Sequence, residues 1–160
     1  DPNVEPAVIE WQPPAMLTVA EAAAQAGFPV YTLDAVPDGY GLISRDVALP
    51  DENEPATRVT TVWQSSEGPL VLAQTLWPSD VAPNTVEVGD AVTMPVNVQG
   101  AEGLWIEGWR LSTRVEGDQV VPQYANVLIW ELDGYAFWLQ SSAGLSQAEM
   151  LAIANSVIVP

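Results

Sequence analysis

The sequence predicts an α+β fold: an antiparallel β-sheet of about six to eight strands with an N-terminal and a C-terminal helix packed on one face. Three observations carry this expectation. Two capping boxes, Thr18-Val19-Ala20-Glu21 and Ser146-Gln147-Ala148-Glu149, stand near the two ends of the chain and each opens a helical pattern. Between them the hydrophobic period changes to two and is broken by hairpin signals such as Glu116-Gly117-Asp118 and Asp133-Gly134. Helical and strand patterns therefore come in separate runs, which sets this class apart from alternating, parallel α/β folds.

Residues 1–16 read as an extended linker or tail, because prolines at positions 2, 6, 13 and 14 with scattered acids disfavour regular structure. Residues 17–160 read as a single α+β domain. The first helix is expected from about Val19 to Ala26, packed through Leu17, Ala20, Ala24 and their neighbours, with Gly27 offering a left-handed stop. Val36-Pro37-Asp38-Gly39-Tyr40 is a turn, since proline presets φ and glycine accepts a positive one. A strand follows from Tyr40 to Ala48, then an acidic loop, Asp51-Glu52-Asn53-Glu54-Pro55. Arg58–Gln64 and Leu70–Trp77 form a hairpin around Ser65-Ser66-Glu67-Gly68. Ala91–Val98 puts Val92, Met94, Val96 and Val98 on one face, and Pro95 argues for an edge position or a bulge. Leu104–Val115 and Gln119–Trp130 make the next hairpin, and Ile129–Leu132 with Tyr135–Gln140 the last. In the closing helix Leu145, Met150, Ile153, Ala154 and Val157 recur at helical spacing and should face the sheet.

The 160 residues include no histidine, cysteine or lysine, and the only bases are Arg45, Arg58, Arg110 and Arg114. The neutral-pH proton shuttle, the thiolate nucleophile and the Schiff-base amine are thereby removed, with the common transition-metal ligands. A serine triad has no base, and no glycine-rich phosphate loop is present. The expectation is a protein that is not an enzyme and takes no cofactor and no metal. Net charge is −17, which repels nucleic acid and anionic membrane surfaces alike. Charged partners are expected to be cations or basic proteins, while self-repulsion keeps the chain in solution. The opening Asp1-Pro2-Asn3 has no initiator methionine or leader, so a signal or anchor is expected upstream.

Carboxylates near aromatics, Glu107, Glu131 and Asp133, carry the pattern of a glycosidase pair, but 21 acids in so small a chain produce such neighbours by chance. The Asp51–Glu54 loop offers hard oxygens for calcium without the glycine and twelve-residue spacing of the standard loop. The stronger lead is aromatic: Trp105, Trp109, Trp130, Tyr135 and Trp138 crowd one region and are the candidate ligand- or partner-contact residues. Trp105 and Trp109 share parity on their strand, and Trp130 shares a face with Trp138 if the hairpin is regular. Aromatics fill ordinary cores too, so both roles stay open here. Arg110 and Arg114 share a strand face and can hold an anion or pair with Glu107 and Glu116.

The run Val127-Leu128-Ile129-Trp130-Glu131-Leu132-Asp133-Gly134-Tyr135, then Phe137-Trp138-Leu139 and Leu145 to Ser156, resembles the ending of an uncharacterised bacterial extracytoplasmic family. Gly27-Phe28-Pro29-Val30, Val36 to Tyr40, and Val96-Asn97-Val98-Gln99-Gly100 with Gly103-Leu104-Trp105 fit it as well. Domains of that family occur in lipoproteins, anti-sigma-factor-like membrane proteins and sporulation-associated proteins. More distantly it is similar to the C-terminal domain of periplasmic regulators of the RseB type. The resemblance spans about Leu17 to Val159 and implies export, a sheet with helices on one face, and no catalytic motif. The chain departs from it in its acidity and in an insertion-like stretch around Trp77 to Ala91. Composition and resemblance together lead to a membrane-tethered, extracytoplasmic sensory or accessory domain that binds a protein or a small apolar ligand. The alternative is a carrier of a lipid or other hydrophobic ligand in a tryptophan-lined groove.

Overall fold

The computed structural model describes residues 16–81 and 89–160, with backbone only for 111–116 and 120–122. The expected tail up to Ala15 and the middle of the Trp77–Ala91 stretch lie outside the described residues. Helix α1 spans Val19–Ala26. The Thr18 hydroxyl accepts from the Glu21 amide at 3.1 Å, and Glu21 Oε1 accepts from the Thr18 amide at 3.1 Å, so two otherwise orphaned donors are satisfied reciprocally. Gly27 ends the helix at φ +81°, a conformation that a Cβ would strain.

Leu17 packs as expected, but the face of α1 itself is turned: Ala22 is buried, with Val19, Ala23 and Ala26 beside it against Phe28, Val30 and Val59, whereas Ala20 and Ala24 are exposed. The rotation is set where the chain enters the helix. Met16 bridges Arg45 in parallel, and the Leu17 amide donates to the Arg45 carbonyl at 3.2 Å, which fixes the heading of the first turn.

Seven strands follow: β2 (Gly41–Ala48), β3 (Thr57–Ser65), β4 (Gly68–Leu76), β5 (Val92–Val98), β6 (Ala101–Glu116), β7 (Gln119–Leu132) and β8 (Tyr135–Ser141). They form one antiparallel sheet in the order β2-β3-β4-β8-β7-β6-β5. The expected hairpins are present within two or three residues of their expected bounds, and β5 with its Pro95 lies on the edge as the missing amide requires. Helix α2 spans Gln147–Ala154 behind the Ser146 cap, whose hydroxyl accepts from the Glu149 amide at 3.2 Å. At its other end the β5–β6 turn supplies the cap: Gln99 Nε2 donates to the carbonyls of Ala154, Asn155 and Val157.

A separate two-stranded ribbon, β1 (Thr32–Leu33) with β9 (Val157–Ile158), was not expected. Val157 therefore leaves the helix and reaches the core from a strand.

The main core joins Trp63, Leu70, Leu72, Leu128, Leu139 and Phe137 of the sheet to Met150, Ile153 and Ala154 of α2 and to Tyr31, Leu33 and Val157. The helices do not share one cluster. α1 belongs to a smaller one against β2 and β3, and α2 sits over β7. Gln74, only 1% exposed, ties the segment between α1 and β1 to the sheet, accepting from the Tyr31 amide and donating to the Pro29 carbonyl, each at 2.9 Å. Arg45 lies buried at 6% exposure beside this segment, donating to the Leu17 carbonyl at 3.1 Å and Thr32 Oγ1 at 3.3 Å. Burial lowers its pKa from the ordinary arginine value.

Candidate functional site

Side chains alternate across a strand, so the register assigns every sheet residue to one of two faces. Opposed residues of an antiparallel pair share a face. Leu72, Leu139, Leu128 and Trp105 follow one another across the ladders, with Trp63 opposite Leu70 beside them, and all belong to the main core. The opposite face carries a second row, Thr60, Ala73, Trp138, Ile129, Leu104 and Pro95, each opposite the next. Beside it run Val62, Val71, Gln140, Val127 and Ile106 on one flank, and Arg58, Thr75, Ala136 and Glu131 on the other.

This outer face holds a groove of about 540 Å³ lined by Thr60, Val71, Ala73, Trp77, Ile129 and Trp138, with Arg58 and Glu131 at its border. It continues into a depression of about 500 Å³ bordered by Glu102, Leu104, Ile129 and Glu131. A third, of about 250 Å³, lies at the Asp133-Gly134 turn between Trp77 and Tyr135. Glu131 borders all three. Next to the groove Ile106, Ala125 and Val127 are buried beneath Trp109 and Trp138, whose rings lie 4.8 Å apart at 47°. Trp138 is held in place by its Nε1, which donates to Gln140 Oε1 at 3.0 Å. Most of this lining is half-buried rather than buried.

The five aromatics singled out from the sequence are thus divided. Trp105 and Trp130 are buried in the main core, Trp130 stacked on Phe137 at 5.3 Å and 14°. Tyr135 is half-buried on the same side, against Phe28 at 5.1 Å and Tyr31 at 5.9 Å. Only Trp109 and Trp138 lie on the outer face. Two local facts separate the pairs expected to share a face. The ladder shifts between Ile106 and Trp109, so Trp105 lies opposite Leu128 while Trp109 lies opposite Ala125, an odd step away. The Asp133-Gly134 turn fixes Leu132 opposite Tyr135, which puts Trp130 opposite Phe137 and Trp138 opposite Ile129. A second shift between Arg110 and Ser112 breaks the parity expected for Arg110 and Arg114, which stand opposite Tyr124 and Val121. The side chain of Arg114 lies outside the described residues.

Trp77, not among the candidates, lines both the groove and the turn depression. Its signal was the parity of Val71, Ala73 and Thr75, continued one step past the end of β4.

The acids do other work. Asp133 accepts from the Tyr31 hydroxyl at 2.7 Å. Burial, and then this bond and the charge of Asp133, push the Tyr31 phenol up to about 12 from its ordinary 10.0. In the loop considered for calcium, Asp51 Oδ1 accepts from the amides of Asn53 and Glu54 at 2.8 Å, and Glu54 pairs with Arg58. Among the described residues no three acidic side chains gather as metal ligands. No family model, curated protein or solved structure matches the chain.

Proposed function

We propose that this chain is a non-enzymatic binding domain, sensory or accessory in role, that works outside the cytoplasm on an upstream membrane tether and grips its partner with the outer face of its sheet. In this reading both helices cover the face of Leu72 and Leu128, and neither of them covers the face of Trp138. The observation that carries it is the groove of about 540 Å³, apolar along Val71, Ala73, Ile129 and Trp138, on a sheet whose other face is already a packed core. A concave, mostly apolar lining with a few polar groups at its border is the usual form of a binding site.

A carrier of a lipid or other hydrophobic ligand would use the same tryptophans. Carriers enclose most of their cargo, whereas this trough is open across the strands, which favours a protein partner.

Nile red, a neutral apolar dye, tests the surface. Saturable binding with a blue-shifted emission is expected, weakened about tenfold or more by Ala73→Glu, which sets a charge on the groove floor. Equal binding by the variant, with its fold intact by circular dichroism, would overturn the assignment. Protection from an external protease in intact cells would overturn the extracytoplasmic placement.

A further inference from the structure

We propose that Asp38 is a site of spontaneous backbone isomerisation to isoaspartate, and that the fold shields the matching aspartate, Asp133, from the same reaction. The tripeptide Asp-Gly-Tyr stands at both 38–40 and 133–135. In each copy the glycine carries no Cβ to hinder attack of its amide on the aspartate side chain. The glycine nitrogen closes on the carboxyl carbon Cγ: a C–N bond forms, a C–O bond breaks, and the hydroxyl leaves with the amide proton as water. The product is a five-membered succinimide, which one water then reopens. Addition at the side-chain carbonyl restores aspartate. Addition at the main-chain carbonyl leaves isoaspartate, whose main chain runs through Cβ and Cγ. One water is released and one is consumed, so no oxidant, reductant or enzyme takes part, and the net charge stays at −17.

Because the tripeptide is the same, a difference in rate belongs to the fold rather than to the attacking residue. Both aspartates are exposed, and a Cβ at either glycine would meet nothing within 4 Å, so neither water nor crowding separates them. Their hydrogen bonds do. Asp133 Oδ2 accepts from the Tyr31 hydroxyl at 2.7 Å, and that bond must break before the carboxyl reaches the Gly134 amide. Leu132 and Tyr135, the closing pair of the β7–β8 ladder, frame the turn from inside the sheet. Among the described residues the Asp38 carboxylate and the Gly39 amide have no hydrogen-bond partner. Their turn is closed by the Tyr40 amide on the Pro37 carbonyl at 3.3 Å, and it lies in the link between β1 and β2. Isomerisation lengthens that link by one backbone carbon just before Tyr40, which packs on the main core.

The test incubates the full chain at neutral pH in water enriched in heavy oxygen, then maps its peptides by mass spectrometry. Each ring opening fixes one solvent oxygen at the aspartate that reacted, and isoaspartyl peptides separate from their aspartyl forms by chromatography. Asp38 is expected to react about tenfold or more faster than Asp133. Asp46, which a valine follows, marks the background. In urea the two Asp-Gly rates should become equal, because the Tyr31 bond and the ladder are gone. Tyr31→Phe, with the fold intact by circular dichroism, should raise the Asp133 rate about fivefold and leave that of Asp38 unchanged. Equal rates at Asp38 and Asp133 in the folded chain would overturn the proposal, as would an Asp38 rate no higher than that of Asp46. A difference that persists in urea would overturn it too, since the fold would then not be its cause. An Asp133 rate that Tyr31→Phe does not move would remove the shielding assigned to that bond.

Discussion

Replacing Gln74 by leucine removes the side chain that bonds the backbone of the Phe28–Tyr31 segment to the sheet. That segment feeds both clusters, since Phe28 and Val30 pack with α1 and Tyr31 packs in the main core. Leucine keeps the volume, so the cost lies in polar groups. The Tyr31 amide, buried and bonded to Gln74 Oε1 at 2.9 Å, loses its partner, at about 1–3 kcal/mol. Pro29 is exposed, so its carbonyl rehydrates and adds less than about 1 kcal/mol. Added apolar burial returns part of this, leaving about 1–3 kcal/mol. For a chain of this size that is a fall of about 2–12 °C in Tm. Urea unfolding followed by circular dichroism measures it. A second substitution, Gln74→Glu, isolates the hydrogen bonds from the packing. The introduced carboxyl, when protonated, can accept from Tyr31 and donate to Pro29; when ionised it can only accept, and it buries a charge. Its folded pKa is raised, so the folded state holds a proton that the unfolded chain releases. The stability of Gln74→Glu relative to wild type should then be greatest in acid and fall as pH rises above the ordinary carboxyl value of about 4.3. A Gln74→Leu variant within about 0.5 kcal/mol of wild type would refute the reasoning.

Two further outcomes follow from the same geometry. Tyr31→Phe deletes the 2.7 Å bond to the exposed Asp133 without leaving a cavity, at about 0.5–1.5 kcal/mol. Because the Tyr31 phenol is held up to about 12, its contribution is complete below pH 10 and lost as pH rises from 10.0 through 12. The difference between wild type and variant in urea midpoint should therefore close over that window, and a constant difference would dismiss the assignment. Gly108 sits in the shifted ladder at φ +69° with no atom within 4 Å of an added Cβ. Gly108→Ala should thus cost only the left-handed backbone strain, about 1–2 kcal/mol, and loosen the contact of Trp109 with Trp138. The exciton couplet of the two indoles in far-ultraviolet circular dichroism reports that contact; full retention of both stability and couplet would show that the shift does not depend on the glycine.

What the sequence disclosed and what it withheld divide along the range of the physics. Helix caps and two-residue turns act over three or four residues, so α1, α2 and the hairpins at Asp133-Gly134 and Glu116-Gly117-Asp118 were legible, although at α2 only the Ser146 half of the expected capping box forms. Pro95 marked an edge because a missing amide cannot serve a central strand. The ribbon of Thr32–Leu33 with Val157–Ile158 was not legible: two residues carry no period, and their partners stand more than a hundred residues away. The site is harder to read. Parity along one strand does not assign a shared face, because faces are shared across ladders. The Asp133-Gly134 turn implies Trp138 opposite Ile129, so that half of the arrangement is legible. The shift before Trp109 left only Gly108 as a sign, and a strand glycine signals a bulge without saying where the register resumes.

The acidity of the chain acquires a second role on the proposed reading of the groove as a contact surface. An apolar trough on a sheet invites a second copy of itself, face to face. Two such faces would bring Glu102 and Glu131 of one copy toward those of the other, on molecules each carrying −17. Repulsion over distances of about 8–10 Å is only partly screened at ordinary ionic strength. The same term changes sign for a cationic partner. Moreover, Arg45 is buried and Arg58 is held by Glu54, so two of the four bases can offer little to an incoming anion. On the proposed reading of the groove as a contact surface, the absence of lysine and the groove act together: the first selects among the molecules that an apolar lining would hold.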